Sequence, residues 1–317
     1  MEATDNMESN LTNEIKKRNY SFRQITACNM CGADVASAKN LGLRLDKTQG
    51  RSPKGKIGIA VTVCQCRSCG LIFNNPQPAP AAIVDHYGLP PEAYWNSVSY
   101  EPEPDYFASE LSTAKRLIGK PTPIRAIDIG LGLGKAARVM RNNGFDVYGI
   151  EPSKPFFDKA IELLGNEEGH FQLTSIEEAD FQEGAFDFVS FGAVLEHLYD
   201  PAAAIAKALF WLRPGGIIQA EIPNARHAVS KFINAYYRVL GTSFVTNTSP
   251  MHVPYHLYEF TLASFLKNGR SAGYSVAESW VKFYGLSNIP ALLHSPFKWW
   301  MDRNQSGLQL TVFLRKN

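Results

Sequence analysis

The stretch Ile127-Asp128-Ile129-Gly130-Leu131-Gly132-Leu133-Gly134 constrains this chain more than any other. An apolar run ends in an acidic residue and three alternating glycines. A second apolar run closes on a carboxylate, in Tyr148-Gly149-Ile150-Glu151-Pro152. A strand entering a tight glycine loop, a helix, and a second strand ending in an acid form a βαβ unit that seats an adenosine-bearing cofactor. The spacing discriminates among such cofactors. A dinucleotide loop takes G-x-G-x-x-G, and position 135 is Lys. A phosphate-cradling loop takes G-x-x-x-x-G-K-[ST]; Gly134-Lys135 supplies the G-K, but Ile129 and Ala136 break the rest. Asp128 would repel a phosphate and attract an ammonium. S-adenosylmethionine (SAM) has an ammonium and no phosphate. Gly130, Gly132 and Gly134, with Asp128 for the methionine end and Glu151 for the ribose hydroxyls, therefore predict a SAM site.

The cysteines carry a second signal. All five lie between positions 28 and 69, and four form two C-x-x-C-G units, Cys28–Cys31 and Cys66–Cys69. Each unit can turn two thiolates toward one ion, and the glycine after it tolerates the tight backbone turn. Two such knuckles predict tetrahedral sulfur ligation of zinc by Cys28, Cys31, Cys66 and Cys69, with no open position and hence a structural role. The intervening residues are expected to form a hairpin returning through Gly58–Val63. A ribbon of about 45 residues cannot bury enough core to fold unaided, so the metal supplies stability. Cys64 is a spare or alternative thiol.

Charge and hydropathy exclude several classes. Lys plus Arg total 32 and Asp plus Glu 30, a balance that counts against a nucleic-acid or membrane-surface partner. No apolar stretch has the length of a membrane span, and the polar start lacks a signal core, so a cytoplasmic location is expected. The chain divides into a mobile tail (1–25), a zinc ribbon (26–75) ended by Pro76, Pro78 and Pro80, a mostly helical, aromatic-rich connector (76–120), and a catalytic domain (121–317) with a lid or substrate segment at 223–258. Within the last, strands are expected at 125–129, 146–150, 170–173, 186–191, 217–221, 275–283 and 308–315. Helices fall at 135–142, 154–164, 201–212 and 261–271, with Asp200 and Pro201 as N-cap and first helical residue. The alternation predicts a doubly wound α/β sheet with its ligand at the carboxyl ends of the strands. Thr174-Ser175-Ile176 ends the third strand, where Ser175 and Ile176 could meet an adenine ring.

The chain resembles the class I SAM-dependent methyltransferases over residues 121–317. The resemblance rests on Asp128-Ile-Gly130-Leu-Gly132, Glu151, Phe186-Asp187-Phe188-Val189, Val194-Leu195-Glu196-His197, Asp200-Pro201 and Leu212-Arg213-Pro214-Gly215-Gly216. It is strongest to the branch with ubiquinone-biosynthesis O-methyltransferases, and the knuckles followed by Gly70-Leu71-Ile72-Phe73 resemble methyltransferases of sugar and secondary-metabolite pathways. Leu131 and Leu133 are bulkier than the family's usual loop residues. The resemblance implies a Rossmann-like sheet of seven strands, the last antiparallel, and a small-molecule acceptor methylated on oxygen or nitrogen.

Methyl transfer from a sulfonium is an in-line displacement needing alignment, exclusion of water and, for some acceptors, a base near neutral pKa. Glu196 and His197, just past the fourth strand, are the first candidates: Glu196 to orient or face the cofactor, His197 as base or substrate contact. His252 and His256 follow the fifth strand and are candidate substrate contacts. Their i, i+4 spacing could suit a metal on a helix, but Pro254 opposes a helix there. Residues 229–240 read as an amphipathic lid, and Trp299-Trp300 as packing residues. Two other functions compete: an RNA-base methyltransferase gripping RNA through the ribbon and its basic tip (Lys47, Arg51, Lys54, Lys56), and a non-catalytic SAM-binding interaction protein.

Overall fold

The computed structural model describes residues 20–44, 61–80, 90–94, 100–166, 169–248, 255–283 and 291–317. The N-terminal part contains β1 (Tyr20–Arg23), β2 (Lys39–Arg44), β3 (Val61–Gln65), β4 (Ile72–Asn74) and β5 (Gln77–Pro80). β2 and β3 form the expected antiparallel hairpin, and β4 pairs beside β3. Two sequence expectations fail here. Tyr20–Arg23 is not tail but a strand, antiparallel to β5, with Tyr20 opposite Pro80. The proline-rich run is likewise a strand where connector was expected, but β5 belongs to this separate pair and the ribbon sheet itself stops at Asn74; as one strand of a two-stranded pair, β5 leaves one side where missing N–H groups cost nothing. The basic tip and residues 1–19 lie outside the described residues.

The connector is helical at residues 91–94 and in α1 (Ala108–Ile118). After it the chain alternates: β6 (Ile124–Ile129), α2 (Lys135–Asn142), β7 (Phe145–Ile150), α3 (Lys154–Leu164), β8 (Phe171–Gln172), β9 (Phe186–Gly192), α4 (Pro201–Trp211) and β10 (Leu212–Pro223). Next come α5 (Ala228–Val239), β11 (Tyr258–Glu259), α6 (Leu262–Ala272), β12 (Tyr274–Lys282), α7 (His294–Arg303) and β13 (Gln309–Lys316). Seven strands form one sheet in the order β12-β13-β10-β9-β6-β7-β8. Neighbours from β10 to β8 are parallel, while β13 inserts antiparallel to both β10 and β12. This is the doubly wound Rossmann-like sheet. The Arg213–Gly216 turn survives as a register break inside β10, between Leu212 and Ile217.

The faces of the sheet bury different helices. Leu111 and Ala114 of α1, Ala137 and Met140 of α2, and Ala160 of α3 pack with Ala126, Val147 and Phe188. Ile205 and Leu209 of α4 and Phe265 of α6 pack with Ile127, Val189 and Phe191 on the other. The ribbon shares this second core through Cys28, Met30, Leu71 and Phe73. Lys282 ties α1 to the sheet by bridging the nearly fully buried Glu110 to Glu221.

Later segments cover both edges of the ribbon sheet. β11 pairs antiparallel with β4, giving the order β11-β4-β3-β2. At the opposite edge Leu43 N–H donates to Ser243 O (2.8 Å), and Val245 N–H returns to Leu43 O (3.0 Å). This approach needs Gly42, where a Cβ would stand 2.0 Å from Ser243 O. A buried polar network closes the seam. Arg44 Nε donates to Thr248 O (2.9 Å), and Glu259 accepts from Asn247 Nδ2 (2.7 Å) and Thr248 N–H (2.6 Å). Among the described residues, these later segments thus cover the β4 side and the β2 side of the ribbon hairpin.

Candidate functional site

The strand order reverses between β6 and β9, and the crevice beyond the carboxyl ends of these strands is where doubly wound sheets bind ligands. Asp128, Gly130, Gly132, Gly134 and Glu151 come together there. Gly130 and Leu131 N–H groups both donate to Ile150 O (2.9 and 3.0 Å), folding the loop over the end of β7. Gly130 sits at φ +72°, and a Cβ on it would lie 2.5 Å from Val194 Cγ2. The glycine loop and the loop after β9 are thus in contact. Leu131 and Leu133, bulky for such a loop, are buried.

Glu151 is the hub of the loop. One carboxylate oxygen accepts Gly132 N–H and the other Ser153 N–H, each at 2.8 Å. Burial nevertheless pushes its pKa up to about 7. Asp128, opposite Ser190 in the β6–β9 register, accepts a hydrogen bond from the Ser190 hydroxyl. Burial raises it to about 7 against that bond, and Glu151 adds to the rise. Ser175 and Ile176 are buried beside this pair, with Thr174 N–H donating to Glu151 O (3.1 Å). Ser175 Oγ accepts the N–H of Glu178 (3.3 Å), and Ile176 belongs to the main core.

Glu196 and His197 lie in the loop after β9 and meet His256; His252 is outside the described residues. Glu196 is buried, and desolvation lifts its pKa to about 8. Its backbone carbonyl accepts Leu257 N–H (2.8 Å), so the His256 segment is stitched to this loop. The His197 and His256 rings meet edge to face with centroids 4.6 Å apart.

Two residues of this region escaped the sequence reading. Ser190 left a faint signal, a polar residue inside an apolar strand. Tyr106 was visible only as one connector aromatic among several. It is 42 % exposed as a residue, and desolvation of its hydroxyl, followed by the carboxyls of Asp128 and Glu221, pushes the hydroxyl pKa up. The expected lid is α5, yet Phe232 and Tyr236 point outward, 58 % and 60 % exposed. Trp300 packs against Phe297, as expected, whereas Trp299 is 64 % exposed.

The four knuckle cysteines converge, with all Sγ atoms within 4.8 Å of one another. The Cys28–Cys69 and Cys31–Cys66 pairs are 3.6 Å apart. Sulfurs about 2.3 Å from a tetrahedral zinc stand about 3.8 Å apart, so the donor set fits that ion. The Cys69 thiol and nearby backbone N–H groups already hold Cys28 down to about 5, favouring its thiolate. Cys64 stays outside the cluster on β3, its thiol pushed up by burial. The knuckles also grip the rest of the fold. Thr261 Oγ1 donates to Cys69 O (2.6 Å), Asn268 Nδ2 to Met30 O (3.0 Å), and Asn29 Nδ2 to Tyr199 O (3.2 Å) in the loop carrying Glu196.

Sheet order, glycine loop and paired acids define a protein of the SAM-dependent methyltransferase class. Residues 105–279 match the model of a family described as a methyltransferase domain, and the chain belongs to that family. Among its relatives, an uncharacterized methyltransferase of Schizosaccharomyces pombe is 34% identical over 110 residues, 30% of this chain and 38% of that one. A ubiquinone biosynthesis O-methyltransferase of Methylococcus capsulatus is 32% identical over 104 residues, 30% of this chain and 41% of that one. The chain thus spans about two-fifths of the length of these curated relatives. A solved S-adenosylmethionine dependent methyltransferase from Mesorhizobium loti is 14% identical with a TM-score of 0.46, covering 66% of this chain and 97% of that one.

Proposed function

We propose that this chain transfers a methyl group from SAM to an oxygen or nitrogen of a small molecule, a hydroxyl of a sugar or natural-product precursor foremost. The observation that carries this reading is the Glu151 carboxylate, held by Gly132 and Ser153 N–H groups beside the buried Asp128. Bound SAM supplies a methyl made electrophilic by its sulfonium. Asp128, oriented by Ser190, holds the methionine ammonium; Glu151 accepts from the ribose hydroxyls; Ser175 and Ile176 flank the adenine. The Glu196-His197-His256 group lies at the acceptor end, and its His197 lone pair can take the nucleophile's proton. The acceptor's lone pair forms the new bond to carbon while the carbon–sulfur pair stays on sulfur. The O-methyltransferase name of the Methylococcus relative supports oxygen as the acceptor atom.

In this reading Cys28, Cys31, Cys66 and Cys69 hold a structural zinc. Thiolate ligation suits a reducing compartment, and no described helix is long and apolar enough to cross a membrane, both of which support a cytoplasmic location. The test uses SAM with a labelled methyl group, purified protein and cell extract fractionated into RNA, protein and small molecules. Label in the small-molecule fraction, lost with Asp128→Ala and Glu151→Ala, is expected. Label in RNA would overturn the acceptor class; SAM binding with no labelled product in any fraction would favour a binding-only role.

A further inference from the structure

Glu196, His197 and His256 each place one donor atom within 4.8 Å of the others. Glu196 is 1% exposed, and its Oε2 has no hydrogen-bond partner among the described residues. A carboxylate oxygen buried without a donor is costly unless a cation or proton meets it. His197 Nδ1 lies 3.0 Å from the Tyr255 carbonyl. A carbonyl can only accept, so Nδ1 carries the proton and Nε2 the lone pair. That is how metal-ligating histidines are oriented, with the far nitrogen donating to a backbone carbonyl. His256 is fixed through its own backbone, whose carbonyl accepts Asn74 Nδ2 (3.3 Å) from the ribbon. Nitrogen and oxygen donors about 2.1 Å from one ion stand roughly 3 to 4 Å apart, inside the span of this cluster.

We propose that Glu196, His197 and His256 form a second metal site, separate from the four cysteines, that takes a first-row divalent cation. Two imidazoles and one carboxylate favour Mn²⁺, Fe²⁺, Co²⁺ or Zn²⁺ over Mg²⁺ and Ca²⁺, which prefer all-oxygen shells. Three protein ligands leave open positions for a further oxygen donor. Contact between Val194 and Gly130 sets the site beside the glycine loop. The role of the ion, though not its binding, rests on the methyl-transfer reading. There it would hold the acceptor's hydroxyl and lower its pKa. His197 Nε2 would then be a ligand and not a base. The hydroxyl proton goes to water, the oxygen pair bonds to the methyl carbon, and the carbon–sulfur pair leaves with sulfur.

The test is a Mn²⁺ titration of the full chain carrying one zinc per molecule, read by electron paramagnetic resonance without SAM or acceptor. Mn²⁺ binds thiolate clusters poorly, so the cysteines do not compete. One bound Mn²⁺ per chain is expected, with affinity lowered at least tenfold in Glu196→Gln and in His256→Asn. Zinc content and circular dichroism of each variant identify those that fold; His197→Gln replaces any that does not. No bound Mn²⁺ in the wild-type chain, or unchanged binding in the folded variants, overturns the proposal. Because no methyl transfer is measured, failure of the methyltransferase reading gives a separate result.

Discussion

At the scale of single residues, the acids of the site are set against their surroundings. Asp128 and Glu151 are held up to about 7 by burial, although Ser190 and two backbone N–H groups stabilise their ionised forms. In the proposed role of Asp128, an arriving methionine ammonium would favour the carboxylate. SAM affinity is therefore expected to rise as pH increases from about 6 to 8, and isothermal titration calorimetry across that range checks it. Glu151→Gln should weaken binding by about tenfold or more through loss of a charge-assisted acceptor. Stability of the SAM-free protein follows the opposite sign. The folded state keeps protons that the unfolded chain has released, so the contribution of these two groups is full below about pH 4 and is lost as pH rises to about 7. Gly130→Ala combines a φ of +72° with a Cβ 2.5 Å from Val194. A loss of about 1–3 kcal/mol is expected, with weaker SAM binding, both readable by thermal shift with and without SAM.

At the scale of elements, local spacing was the legible part. The glycine loop, the α2 and α3 limits, the Asp200 N-cap and the cysteine knuckles are each written within a few consecutive residues. Pairings between distant segments left no such mark. β11 is only two residues long, and its partner β4 lies about 185 positions earlier, so no periodicity could reveal it. The same holds for the site: Glu196 and His197 were legible as neighbours, but their meeting with His256 depends on the Leu257 N–H bond to Glu196 O. Thr261 shows how much one element end can carry. It caps α6 in a capping box with Ser264 and also donates to Cys69 O. Thr261→Val is expected to cost about 1–3 kcal/mol, measured by urea unfolding, because it removes the cap and leaves a knuckle carbonyl short of a donor.

At the scale of the whole molecule, the ribbon and the large sheet share one core and a seam of buried hydrogen bonds. They are expected to unfold together. Differential scanning calorimetry should show a single transition that moves to lower temperature when a chelator removes the zinc proposed for the cysteine site; two separate transitions would contradict this coupling. The near-even charge leaves little long-range field, so retention on RNA should be weak at physiological salt. The covered edges of the ribbon sheet also bear on synthesis. Residues 20–80 leave the ribosome long before Ser243, Val245 and Tyr258–Glu259 exist to flank them. Until those later residues emerge, β2 and β4 present bare edges and the Arg44 guanidinium has no burial partner. With zinc at the cysteines as proposed, early metal capture would be one way to keep the first-made strands from pairing with other chains, and a chaperone another.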